Sequence, residues 1–339
     1  MPPSRKCLHI GVLQSWIPSL TEVLAPVAPN PVTTGAKAQR IADALIEGRP
    51  PAFDPELLRA WLNAADWLVE SGHLEAAKAA LAVLTREQPG LEWAANLAEL
   101  LRLAPAPERG VEELEDDLGK DVQVVARPGS DAALLLFCGA KHRLGMPVPL
   151  IHRWLARLGV SLVYLRDFHG LCYLKGVASL GRDRPETITA LRGLLDGIGV
   201  RRLVCLGCSG GGFGALLYAL ELGGDAISMG SPTSMEPEFL KHMNHSAAAT
   251  ELKAAFPYED LDLRRRLEAA GRPPRALIVY AERNWNERIQ AEHAAGLQRA
   301  ELHPVTGYKG HATAAELIRR GEFEPMLASF ISGAAVHDQ

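Results

Sequence analysis

Cysteine is scarce in this chain of 339 residues. The five thiols, Cys7, Cys138, Cys172, Cys205 and Cys208, are odd in number, and a chain this long does not need a disulfide scaffold. A reducing, cytoplasmic setting is the expectation. Cys205-x-x-Cys208 has redox spacing, but an extended segment of three residues spans about 10 Å. Bridged Cα atoms lie closer than about 7 Å, so Cys205 is expected in the core instead. Charge of one sign is also lacking. Lys and Arg total 36 against 40 Asp and Glu, a net charge of −4, which makes no electrostatic case for nucleic acid or an anionic membrane. No apolar run approaches the ~18 residues that a membrane span needs. Arg5 and Lys6 precede a moderately apolar stretch, but Gln14, Pro18 and Glu22 interrupt it, so a secretory leader is not expected. No Gly-Lys-Ser/Thr follows a glycine loop, which argues against a P-loop. His242 and His245 stand three apart without a clear third metal ligand.

What the chain has is a core-forming composition, 47% hydrophobic, and one informative segment, LVCLGCSGGGFGA at 203–215. A Val/Leu/Cys run ends at Gly207, and from Phe213 the pattern turns helical. Between them stands Gly207-Cys208-Ser209-Gly210-Gly211, which is G-x-S-x-G at a strand-to-helix junction. Such a junction holds a serine on a sharp turn, its hydroxyl exposed above the sheet. A dinucleotide-binding turn needs an acidic residue about 20 positions on, near the end of the next strand. Here that strand ends in Met229-Gly230-Ser231, with Asp225 at its start, so this reading is not favoured.

A serine hydroxyl is a weak nucleophile and needs a base, itself oriented by a third group. Behind a G-x-S-x-G turn the chain order is serine, acid, histidine. His311 follows the last expected strand and precedes a helix, which makes it the candidate base; His303 lies within the strand. The acid is expected after Val279-Tyr280, where no aspartate lies near. Glu287, at a helix start, is the first choice and Glu282 the second. Asn284, Asn286 and Asp260 stay open. The oxyanion of a tetrahedral intermediate is assigned to the backbone N–H of Gly210 and to the loop at Ala140 and Lys141. The charges of Lys141, His142 and Arg143 are read as a solvated basic loop, as are those of Arg264, Arg265 and Arg266. The long loop 166–181 is expected to overhang the serine, with Phe168 and Tyr173 as pocket walls and Cys208 beside the nucleophile as a third substrate contact.

Two regions are expected. Residues 1–118 lack convincing strands. Asp54-Pro55 is a helix start, and Trp61, Ala65, Leu68, Gly72, Ala77, Leu81, Leu84 and Pro89 resemble one tetratricopeptide-like hairpin. One repeat cannot bury its own face, so it should pack on something else, either the main domain or a protein partner. Residues 105–117 read as a linker. Residues 119–339 alternate strand and helix, the pattern of an α/β fold with a mostly parallel sheet flanked by helices. Strands are expected at 122–126, 132–137, 161–165, 202–206, 226–229, 275–280 and 302–305. Helices are expected at 149–158, 186–198, 213–222, 236–270 and 285–299, and one or two within 311–330.

The serine turn, the position of His311 and the strand alternation resemble the α/β-hydrolase superfamily over residues 122–335. The resemblance implies Ser209 as nucleophile, His311 as base, no metal and no cofactor, and residues 233–272 as a helical lid. A glutamate in place of the commoner aspartate is the departure. The expected activity is hydrolysis of a carboxylic ester, of a small molecule or an acylated glycan, through an acyl-enzyme on Ser209. Acyl transfer with the same residues and a catalytically silent scaffold are the alternatives.

Overall fold

The computed structural model describes residues 35–106, 114, 116–236, 239, 252 and 254–333. His242 and His245 lie outside them, as do positions 237–238, 240–251 and 253 of the expected lid.

Four helices come first: α1 (Ala36–Ile46), α2 (Leu58–Glu70), α3 (Leu74–Glu87) and α4 (Glu92–Leu103). The Asp54 carboxylate accepts the Glu56 N–H at 2.9 Å and caps the turn that feeds α2. Trp61, Ala65 and Leu68 lie on one face of α2 because helical geometry superposes residues three and four apart. With Ala77, Leu81 and Leu84 of α3 they are fully buried. The chain turns between the two helices at Gly72, where φ is +76°. The N-terminal region is helical as expected, α2 packs on α3, and α1, for which the sequence gives no expectation, packs on α2.

The strands are β1 (Val122–Val125), β2 (Ala132–Phe137), β3 (Ser161–Leu165), β4 (Arg202–Cys208), β5 (Asp225–Met229), β6 (Ala276–Ala281) and β7 (Ala300–Val305). They form one sheet in the order β1-β3-β2-β4-β5-β6-β7; β1 is antiparallel to β3, and every other pairing is parallel. Helices α5 (Val148–Leu155), α6 (Arg184–Gly197), α7 (Gly210–Leu222), α8 (Tyr258–Leu261), α9 (Leu263–Ala269), α10 (Trp285–His293), α11 (Thr313–Arg320) and α12 (Phe323–Ser332) accompany it. The α/β class expected from the sequence is what the chain adopts. Central strands covered on both faces must be apolar throughout, and all six residues of β2 and all five of β3 are buried. Pro304, which cannot donate to a ladder, sits in the edge strand β7.

Side chains alternate between the two faces of the sheet. Leu134, Leu136, Val204 and Leu206 join a core with α5, α11, α12 and the N-terminal helices. Leu135, Phe137 and Cys205 join a second core with α6 and α7. The first core runs without a break across residue 118, because α2 packs on α5 and α4 on α11. The main sheet domain thus covers the apolar face of the N-terminal helices.

Several expectations are corrected. Helix α7 begins at Gly210 rather than 213, so the glycines are its first turn. Helix α10 ends at His293 rather than 299. Much of 237–253 lies outside the described residues; after it the helix is broken at Phe256-Pro257, and α8 and α9 meet at Asp262, which bridges to Ser234 and accepts the Arg264 N–H at 3.0 Å. Of the basic run, Arg265 is exposed as expected, while Arg264 and Arg266 are partly buried and all three are paired. Arg264 pairs with Glu268, Arg265 with Asp262, and Arg266 with Asp260 and Glu221.

Candidate active site

Parallel strands end on the same side of a sheet, so the segments after β2, β4, β5, β6 and β7 gather at one edge. Ser209 sits there, between the last residue of β4 and the first of α7, with φ 55° and ψ −133°. A non-glycine residue at such angles carries about 1–3 kcal/mol of strain and persists only where its surroundings impose it. The Ser209 N–H donates to Met229 O on β5 at 2.9 Å, and the Gly212 N–H donates to Ser209 O at 2.9 Å. A Cβ on Gly207 would collide with the backbone oxygen of Gly211, so glycine alone lets the helix start so close to the strand. The Gly210 N–H, at the first position of α7, is one of the amides a helix leaves without an internal acceptor.

The candidate acid lies in the first turn of α10 and the candidate base in the segment between β7 and α11. Glu287 Oε1 lies 2.8 Å from His311 Nδ1. The Glu287 carboxylate is 1% exposed and is held by donors. The Ala281 N–H donates to its Oε2 at 2.8 Å, and Asn284 Nδ2 donates to its Oε1 at 3.2 Å. An ionised carboxylate only accepts, so it assigns the proton of a neutral imidazole to Nδ1 and leaves the lone pair on Nε2. The pair lies beside the elbow: a Cβ on Gly230, the residue after Met229, would stand 3.2 Å from Glu287 Oε1. The backbone at Gly145 approaches both sides, its Cβ position lying 3.4 Å from Cys208 Sγ and 3.3 Å from Ala314 Cβ on α11.

Glu282 is elsewhere. Its Oε2 accepts the Gly307 N–H at 2.6 Å and ties β6 to the turn after β7. Asp260 pairs with Arg184 and Arg266. Asn284 is the helix cap that fixes Glu287, its Oδ1 accepting the Glu287 N–H at 3.4 Å. That role was readable as Asn284-x-x-Glu287 before a helix, a capping pattern.

The segment after β2 reaches the elbow directly. A Cβ on Gly139 would lie 2.6 Å from Cys208 O and 3.2 Å from Ser209 Cβ. Ala140, Lys141 and His142 form a single 3-10 turn, in which Lys141 (φ 60°) and His142 (φ 58°) are left-handed. Arg143 is not solvated. Its Nη2 lies 2.7 Å from Asp66 Oδ2, and its Nε pairs with Glu70, both carboxylates on α2. Sequence periodicity carries no signal for that contact across 77 positions.

Of the expected pocket residues, Phe168 is 43% exposed and meets the His142 ring at 5.1 Å, edge to face. Burial, with the charge of Arg166, pushes the His142 imidazole below its ordinary pKa. Tyr173 is not a pocket wall. It is 1% exposed, stacks edgewise on Phe137, and its hydroxyl donates to Cys138 O and Leu165 O. The loop that carries it is closed by Asp167, whose carboxylate accepts the N–H groups of His169, Gly170 and Tyr173. Cys208 also belongs to the core, packed below Gly145. The four described cysteines are free, and burial pushes the thiols of Cys138 and Cys172 up to about 12. Cys172 Sγ approaches the elbow, 3.0 Å from a Cβ placed on Gly210.

Among the described residues no group of three or more His, Cys, Asp or Glu is placed to hold a metal ion, and no helix is long and apolar enough to cross a membrane.

No family model and no curated protein sequence matches the chain. Solved structures do resemble it. An α/β hydrolase from a sediment metagenome of the Mar Chica lagoon, Morocco, is 15% identical over 62% of this chain and 94% of its own, with a TM-score of 0.42. A meta-cleavage product hydrolase from Pseudomonas fluorescens is 13% identical over 63% and 94%, at 0.41. An esterase from Pyrococcus furiosus is 13% identical over 60% and 82%, at 0.42. Scores of this size carry no argument about function. The α/β-hydrolase arrangement is visible in the chain itself, in its strand order and in the serine turn after β4.

Proposed function

We propose that the protein is a serine hydrolase that cleaves a carboxylic ester. The observation that carries the reading is the Glu287–His311 pair, 2.8 Å apart, beside a serine held at strained backbone angles on the turn after β4. Ser209 Oγ attacks the ester carbonyl, and His311 Nε2 takes its proton. Glu287 holds the ring in the productive tautomer and stabilises the imidazolium that forms. The Gly210 N–H and an amide of the Ala140–Lys141 turn receive the oxyanion. His311 returns the proton to the departing alcohol, and water then cleaves the acyl-enzyme with the same base. Phe168 and His142 form one wall of the substrate site. Segment 233–272, which connects β5 to β6, is the proposed cover.

The test is labelling by a fluorophosphonate, read by mass spectrometry, beside a panel of nitrophenyl esters of graded acyl length and acetylated sugars. Ser209 is expected to carry the label, and Ser209→Ala to lose both label and turnover. A protein that stays unlabelled and hydrolyses none of the panel is not this enzyme.

A further inference from the structure

The hydrolase reading needs a second oxyanion donor, and the segment that supplies it is poorly supported by its own chain. Lys141 and His142 are two successive non-glycine residues in the left-handed region, a conformation a free loop of L-residues does not hold by itself. Inside the loop, the Gly139 N–H donates to Arg143 O at 2.8 Å and the His142 N–H to Gly139 O at 3.2 Å. These bonds close the turn upon itself but do not anchor it to the sheet. Leu144 and Met146 hold the far end of the loop in the core, and the polar anchor beside the turn is the Arg143 side chain, 16% exposed, which reaches out of the sheet domain to Asp66 Oδ2 at 2.7 Å and to Glu70 on α2. A planar guanidinium has its donors in a fixed fork, so two carboxylates one helical turn apart set its direction as well as its position.

The same loop touches both sides of the proposed site. At its start, Gly139 faces the Cβ of Ser209, and at its end Gly145 lies between Cys208 and Ala314. A loop so closely applied cannot shift without moving its amides relative to the nucleophile.

We infer that Arg143 is a positioning residue of the proposed reaction, and that the Asp66–Glu70 clamp on α2 makes the N-terminal helices part of the catalytic unit. This rests on the hydrolase reading above. Arg143 touches no reacting atom. It holds the Ala140 and Lys141 amides where the tetrahedral oxyanion forms. Since those donors gain strength as charge develops, the effect falls on kcat rather than KM.

The experiment compares Arg143→Gln, Arg143→Lys and the double variant Asp66→Asn with Glu70→Gln, using Arg319→Gln as control. Arg319 makes another ion pair between the two regions, 2.9 Å to Glu99 on α4, away from the loop. Two quantities are read in the full-length protein: steady-state ester hydrolysis, and hydrogen exchange of amides 139–146 against those of α7. Arg143→Gln and the double variant are expected to lose about a hundredfold in kcat, the scale of one lost oxyanion donor, with KM within about twofold. Their loop amides exchange faster while α7 is unchanged. Arg143→Lys keeps the charge but not the fork and falls between them and wild type, and it decides the matter if Arg143→Gln does not fold. The control keeps wild-type kcat and loop exchange.

Wild-type kcat in a folded Arg143 variant overturns the inference, whether or not the loop exchanges faster. So does an equal loss in the Arg319 control, which would mean that docking in general is at work. If the wild-type protein neither labels at Ser209 nor turns over esters, it is the hydrolase reading that has failed. Loop exchange then still decides, by itself, whether Arg143 holds the loop.

Discussion

Glu287 Oε1 and His311 Nδ1 stand 2.8 Å apart although 24 positions separate them in the chain. Three donors converge on this one carboxylate: His311, the Ala281 N–H and Asn284 Nδ2. A group so surrounded is built to stay an acceptor. Glu287→Gln would turn an amide NH2 toward at least one of those donors. It should lower kcat by about 10²–10⁴-fold, the range seen when the orienting acid of a serine triad loses its charge. Glu282→Gln should leave kcat within about twofold, because Glu282 serves the turn at Gly307. Kinetics on the two variants separate the candidate acids, and a reversed ranking rejects the assignment.

The strain at Ser209 predicts a trade of stability against activity. Glycine adopts φ 55°, ψ −133° without a Cβ penalty. Ser209→Gly should therefore abolish turnover while raising stability by about 1 kcal/mol, of the order of the strain removed. Denaturant melts of wild type and variant measure it. An inactive variant that is also less stable would mean that the turn is not strained.

Tyr173 tests the line between core and pocket. Its hydroxyl satisfies two buried carbonyls, Cys138 O and Leu165 O, at the ends of β2 and β3. Tyr173→Phe should cost about 1–3 kcal/mol of stability, chiefly through Cys138 O, since Leu165 O keeps the Cys138 N–H, and should leave KM unchanged. Phe168→Ala should do the opposite, raising KM with little change in stability, since Phe168 is largely exposed. A KM effect in the Tyr173 variant would restore it to the pocket.

Burial raises the Glu70 carboxyl above its ordinary 4.5, and Arg143 offsets part of that rise. A carboxyl with a raised native pKa binds more protons folded than unfolded between the two values. Its contribution to stability is therefore complete below about pH 4.5 and is lost as pH rises through the native value. The difference in Tm between wild type and Glu70→Gln should shrink, or change sign, from pH 4 toward pH 7. Asp116, raised in the same direction by its own burial, is common to both proteins and cancels. A difference that grows with pH contradicts this account.

The local arrangement of the elbow was legible in the chain because it depends on near neighbours. Glycines at 207 and 210–212, an apolar run before them and a helical pattern after them specify a strand, a turn and a helix over 203–222, and the all-apolar 132–137 specifies a central strand. The expected order serine, acid, histidine came from the same pattern, which placed Glu287 at a helix start, where Asn284 caps it. Periodicity also identified the stripes of α2 and α3, because a helix face is a property of spacing.

Where a side chain ends up among distant neighbours was not legible. Arg143 read as a solvated charge until α2 brought Asp66 and Glu70 to it, and Tyr173 read as a pocket wall until its hydroxyl met the ends of two strands. Glu282 and Glu287 were separable only by which loop lay opposite each. Spacing along the chain encodes secondary structure, since that is held by bonds between near neighbours. The partner of a charge or a hydroxyl is chosen by packing between remote segments, where burial demands that every polar group be met, and only the folded chain decides which segments meet.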